Sequence, residues 1–195
     1  MTQITHAGES IEMVTSITTP KNVEFFSLED FIAHPPERTE WVDGKLVEKT
    51  GMTYKHGLAQ GKLIRYWGDY IVSSGQGGEV CVETLCRTNK QARRPDVAYI
   101  SAELLEQFGS NFTILPQSFP LIAEVASPDD SAEELFAKSQ EYLESGCQEV
   151  WLLFPERRLV LINTQSRWQL FNTNEVVSTQ TVLTGFSIAV AELLA

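Results

Sequence analysis

The feature that most restricts this chain is a carboxylate set inside an apolar strand. Pro120-Leu121-Ile122-Ala123-Glu124-Val125-Ala126-Ser127 reads as a short strand buried on both faces, with Glu124 in its middle. A lone buried carboxylate costs on the order of several kcal/mol, so it needs a cation or another partner. Two nearby charges break the same rule. Arg93-Arg94-Pro95-Asp96-Val97-Ala98-Tyr99-Ile100 is an apolar strand with an acid at its entrance. Ser131 to Ser145 is an amphipathic helix, and Lys138 lies between Leu135 and Tyr142 on the stripe that faces the sheet. Two acids on neighbouring strands and a lysine are what phosphodiester hydrolysis needs. The acids hold a divalent metal through oxygen, and the lysine orients water or neutralises developing charge.

At these residues the chain resembles the PD-(D/E)XK nuclease superfamily, and more closely the bacterial Uma-two family of restriction-endonuclease-like proteins. The matching stretches are Glu40 to Glu48, His56-Gly57, Arg94 to Ala98, Glu124 to Pro128, Lys138 to Leu143, Gly146 and Glu149 to Leu152. The resemblance runs from about Phe25 to the C-terminus. It implies an α/β (α+β) fold, with a mixed central sheet flanked by helices, an N-terminal β-hairpin and extra C-terminal antiparallel strands. Residues 23–195 would form this single domain, and residues 1–22, which show no periodicity, a flexible tail.

The same resemblance implies a DNA endonuclease using Mg²⁺ or Mn²⁺. Asp96, Glu124 and the backbone carbonyl of Val125 would hold the metal, and Lys138 would assist catalysis. One departure matters. The superfamily lysine follows the glutamate by two residues, where this chain has Ala126, so Lys138 on the next helix is the expected substitute. Glu83, His56 and Glu40 are further catalytic candidates. Glu40 reads either as an extra ligand or as a solvated strand-end carboxylate. His56 reads as a site residue or a structural histidine, and Glu83 as a third acid or an arginine's partner. Tyr142 either positions Lys138 or packs in the core.

The rest of the chain reads in order. Ser27 caps a helix that ends before Pro35-Pro36, and Asp43-Gly44 turns a hairpin over Thr39 to Lys49. A helix spans His56 to Ser73, with Gly61 and Gly68 expected where it packs close to the sheet. Glu79 to Thr88 is expected as one strand, pairing with the Asp96 strand across Asn89 to Ala92. Ser101 caps a helix over Ala102 to Phe108, and Asn111 to Ser118 is a loop. The Glu124 strand, the Ser131 helix and Val150 to Phe154 form a parallel crossover. Strands at Leu159 to Asn163, Trp168 to Phe171 and Glu175 to Val177 follow, then a closing helix from Ile188 to Leu194.

Charge tempers the nuclease reading. The net charge is −11, whereas a broad nucleic-acid surface is usually basic. Arg87, Lys90, Arg93 and Arg94 do cluster ahead of Asp96, as a local contact for a DNA backbone or as a solvated turn. No run reaches the roughly 20 apolar residues of a membrane span, and the polar start of the chain suggests a cytoplasmic protein. Cys81, Cys86 and Cys147 lack metal-ligand spacing. Gly-rich phosphate loops, a Gly-x-Ser-x-Gly elbow and paired zinc ligands are missing from the sequence. The alternative to a nuclease is a non-catalytic nuclease-fold domain in protein interaction or regulation, with a homodimer as one form. A third reading takes the acids as a structural ion-pair network with Arg93, Arg94 and Lys138.

Overall fold

Local signals set the early elements. In the computed structural model, which describes residues 27–49 and 52–195, Ser27 accepts a hydrogen bond from the Asp30 N–H and opens α1 (Leu28–Ala33). The tail expected over residues 1–22 lies outside the described residues. Strands β1 (Thr39–Val42) and β2 (Lys45–Glu48) form the expected hairpin, with Asp43 and Gly44 both left-handed at φ 48° and 78°. Thr53 caps α2 (Tyr54–Ser74), which Gly75 ends at φ 70°. The expected close packing at Gly61 and Gly68 is absent: a Cβ at either would meet nothing within 4 Å. Both lie off the buried stripe of Leu63, Trp67 and Ile71.

The expected strand over Glu79 to Thr88 is broken in two. β3 (Glu79–Val82) and β4 (Leu85–Arg87) are separated by Glu83-Thr84, and Glu83, at a φ of 50°, turns the chain out of one sheet and into another. Opposite them, β5 (Ala92–Arg93) and β6 (Val97–Ile100) are separated by Arg94-Pro95-Asp96. The ribbon therefore folds across both sheets, β3 pairing with β6 and β4 with β5. After α3 (Ala102–Phe108), the expected loop holds a short strand, β7 (Ile114–Leu115), parallel to β4.

Then come β8 (Leu121–Val125), α4 (Ala132–Glu144) and β9 (Glu149–Phe154), with β8 and β9 parallel as expected. Ser131 and Glu134 form a complete capping box on α4. β10 (Leu159–Thr164) and β11 (Trp168–Asn172) extend the sheet antiparallel. β12 (Val176–Ser178) pairs instead with β13 (Ser187–Ala189). The expected closing helix thus starts as a strand, and only α5 (Val190–Leu193) is helical.

The larger sheet runs β11-β10-β9-β8-β6-β3, and the smaller β2-β1-β5-β4-β7. One face of the larger sheet packs under α2, where Trp67 meets Trp151 edge to face at 5.7 Å. The other face packs under α4 through Leu135, Tyr142 and Leu143. Cys86 and Cys147 are buried free thiols, and burial pushes Cys147 up to about 12. No helix among the described residues is long and apolar enough to cross a membrane.

Candidate functional site

Strand pairing brings the two acids together. Val97 of β6 is in register with Ala123 of β8, so Asp96 and Glu124 end up on neighbouring strands, each 3% exposed. Asp96 Oδ2 accepts the Val125 N–H at 2.7 Å and lies 3.2 Å from His56 Nε2. His56 Nδ1 is buried with no partner among the described residues, so the Asp96 contact orients the ring. Gln60 of α2 donates to the Asp96 carbonyl at 2.8 Å, tying the strand entrance to the helix. Lys49, just past β2, places its Nζ 2.6 Å from Asp96 Oδ1.

Glu124 is held from the other side, by α4. Tyr142 donates its hydroxyl to Glu124 Oε1 at 2.8 Å, and Lys138 Nζ stands 3.1 Å from the same oxygen. Lys138 is equally 3.1 Å from Glu40 Oε1. The helical spacing that puts Lys138 on the core-facing stripe therefore carries its ammonium between two carboxylates. Glu40 is buried rather than solvated. It also accepts the Arg94 N–H at 2.7 Å and lies 3.3 Å from Arg93 Nη1. Glu83 Oε1 is 3.4 Å from Lys49. Asp96, Glu124, Lys138, His56, Glu40 and Glu83 all border one cleft of about 830 Å³.

Burial favours the neutral form of Asp96, but the His56 hydrogen bond and the charges of Lys49 and Lys138 outweigh it and hold the carboxyl well below its usual range. Burial also raises Glu124; Lys138 opposes this and the Asp96 charge adds to it, leaving the carboxyl at about 7. Burial pulls Lys138 down, yet Glu124, Glu40 and Asp96 raise it on balance. Lys49 is likewise raised, with Asp96 overcoming burial. One acid is firmly ionised and the other poised near neutrality, the kind of split found where acids share a site.

Two readings left open above take their outcome here. Tyr142 is a fully buried core residue, and its hydroxyl bonds Glu124, not Lys138. The basic stretch divides: Arg93 turns inward onto Glu40 and Glu141, and Arg94 donates to the carbonyl oxygens of Glu83 and Thr39. Arg87 and Lys90 remain exposed, and Arg87 lies 3.7 Å from Glu29. Sequence reasoning also missed Lys49 and Glu141. Glu141, three residues after Lys138, carried a helical-spacing signal. Lys49 carried none, because it follows four exposed residues and reads as a solvated lysine.

Residues 23–191 match the family model Uma2, described as a putative restriction endonuclease. The chain belongs to the Uma2 family. A crystal structure of a putative nuclease belonging to DUF820, from Anabaena variabilis, is similar to it with a TM-score of 0.76 and 20% identity. The match covers 86% of this chain and 96% of that one. At that identity the likeness shows the fold alone. No curated protein matches this Uma2 chain.

The acids of this Uma2 protein offer only oxygen donors, the type that Mg²⁺ and Mn²⁺ take, and two carboxylates lie on adjacent strands. The donor set thus fits a hard divalent ion. Among the described residues, no three His, Cys, Asp or Glu side chains converge as a ready metal cage. Each acid instead faces an ammonium: Asp96 that of Lys49, and Glu124 that of Lys138.

Proposed function

We propose that this Uma2 protein is a metal-dependent endonuclease that hydrolyses phosphodiester bonds in DNA through a PD-(D/E)XK-type site. The observation that carries the reading is the reach of Lys138. Position 126 is alanine, yet the α4 lysine stands 3.1 Å from Glu124 and completes an Asp/Glu/Lys group. Asp96, Glu124 and the Val125 carbonyl would hold Mg²⁺ or Mn²⁺. A bound divalent ion supplies Lewis-acid polarisation of the phosphate and lowers the pKa of water.

The protein's own groups do the rest. The Val125 N–H and His56 fix the Asp96 carboxylate, and Tyr142 fixes Glu124. Lys138 donates to a phosphate oxygen or orients the attacking water, and its charge offsets what develops on the phosphorus oxygens. Glu40 holds Lys138 from behind. Glu83 borders the same cleft as a reserve acid. Exposed Lys90 on the cleft wall would meet the DNA backbone; with a net charge of −11, the affinity would come from the cleft and not from a broad surface.

A second reading, a non-catalytic nuclease-fold domain, is favoured by one observation: both acids are already neutralised by lysines. Calorimetric titration with Mn²⁺, comparing wild type with Glu124→Gln, followed by plasmid and single-stranded DNA, separates the two. Glu124-dependent binding with cleavage that Lys138→Ala abolishes supports the nuclease. Absence of metal binding and of cleavage favours the non-catalytic domain.

A further inference from the structure

Lys49 has no part in the chemistry above, yet its ammonium lies nearer a site acid than that of Lys138, at 2.6 Å against 3.1 Å. It also contacts the Arg94 carbonyl oxygen at 2.8 Å and Glu83 Oε1 at 3.4 Å. An ammonium has three N–H donors and no acceptor, so three oxygens complete its shell. Two carboxylates and a backbone carbonyl are also the donor types that a hard divalent ion accepts. Lys49 reaches them from the hairpin, whereas Lys138 approaches from α4 on the other acid.

We propose that Lys49 is the resident counter-cation of this site: its ammonium neutralises Asp96 and Glu83 in the metal-free protein and must leave when a divalent ion binds. Lys49 therefore sets the metal affinity. This rests on the metal-dependent reading above. A divalent ion on Asp96 would share that carboxylate with an ammonium in direct contact, and like charges at such range repel. Release needs little rearrangement. The Lys49 N–H donates to the Arg38 carbonyl at 2.9 Å, and its own carbonyl lies 3.4 Å from the Arg38 guanidinium. The backbone is thus pinned at the hairpin base, and the ammonium moves by side-chain torsions of a flexible four-carbon stem. The side chain is 21% exposed and borders the cleft, so water can receive it. Glu83 sits at a left-handed backbone position between β3 and β4, so its placement beside Asp96 does not rest on Lys49 alone.

The test is Mn²⁺ calorimetry on wild type, Lys49→Met and Lys49→Arg, with melting curves in EDTA and in Mn²⁺. Lys49→Met should bind Mn²⁺ about tenfold or more tightly than wild type, the range of an ordinary coupling between two ligands. It should melt below wild type in EDTA, and the gap should close in Mn²⁺. Lys49→Arg keeps the charge and should bind no more tightly than wild type. Lys49→Gln serves in place of the methionine variant if the latter does not fold. Equal or weaker Mn²⁺ affinity in the uncharged variants overturns the proposal and leaves the metal reading standing. Tighter binding by Lys49→Arg as well also overturns it, because charge would not be the cause. If neither wild type nor any Lys49 variant binds Mn²⁺, the metal reading and this proposal fall together.

Discussion

The Tyr142 hydroxyl donates to Glu124 Oε1 at 2.8 Å, joining the inner face of α4 to β8 through two buried side chains. A tyrosine that fills the core thereby fixes the orientation of Glu124, whereas Asp96 and Glu40 each accept a backbone N–H.

Tyr142→Phe keeps the ring and its packing and removes only that donor. A hydrogen bond to a charged group is worth about 1.5–3 kcal/mol, so stability at pH 8 should fall by that amount. Urea unfolding followed by tryptophan fluorescence measures it. A loss below about 0.5 kcal/mol would show that Lys138 alone satisfies Glu124.

The metal-free protein should lose stability as pH rises through the range set by Glu124. Burial lifts its carboxyl from 4.5 to about 7, against Lys138 and together with the Asp96 charge. Because the folded state holds this proton more tightly, the contribution is complete below pH 4.5 and gone above about pH 7. It amounts to about 3 kcal/mol. Asp96 and Glu40, both lowered, act in the opposite sense and lose their contribution only in acid. The difference between wild type and Glu124→Gln, measured in EDTA from pH 5 to 8, isolates the Glu124 part. A pH-independent difference contradicts it.

Lys138→Met leaves Glu124 and Glu40 without the ammonium they share. Removing one partner of a buried pair costs about 3–5 kcal/mol. The loss should be largest at pH 8 and smaller at pH 5, where Glu124 takes up a proton. Adding Glu124→Gln to Lys138→Met should recover part of the loss at pH 8. Strict additivity of the two single changes would show that the side chains do not interact.

Glu149 separates structure from function. It is fully buried, and its Oε2 accepts from the Gln180 N–H at 2.7 Å, the Thr181 N–H at 2.8 Å and the Thr181 hydroxyl at 3.0 Å. Its Oε1 accepts from Trp151 Nε1 at 2.7 Å. Glu149→Gln points an amide N–H₂ at donors whichever way it is built, and should cost about 2 kcal/mol or more. It opposes Leu121, at the far end of β8 from Glu124, so Mn²⁺ affinity should match wild type. A calorimetric change would place Glu149 in the site's network.

What was legible in the sequence was what one segment decides alone. Asp43-Gly44 turned its hairpin, Ser131 with Glu134 capped α4, and Glu124 betrayed itself by standing in an apolar run. Lys138 was legible because helix periodicity is local. Lys49 was not, since its partners Asp96, Glu83 and Arg94 come from segments more than thirty residues away. Glu83 was read as a third acid or an arginine's partner; its side chain meets Lys49 instead, and nothing nearby marks a left-handed residue that breaks the strand. Arg93 and Arg94 looked like a surface patch because their carboxylate and carbonyl partners lie on the hairpin, on α4 and at the break between β3 and β4.

Carrying the lysine on a helix has a consequence for how the protein loses competence. On a strand, side chains two residues apart share a face, so a lysine at 126 would be bound to Glu124 by the pleat itself. Lys138 has no such tether; it meets Glu124 only while α4 is docked. Subglobal opening of α4 would separate lysine from acid while β6 and β8 stay paired, and such partial openings precede global unfolding. A warmed or mildly denatured molecule would then keep its sheet and its two acids in place, yet be chemically silent.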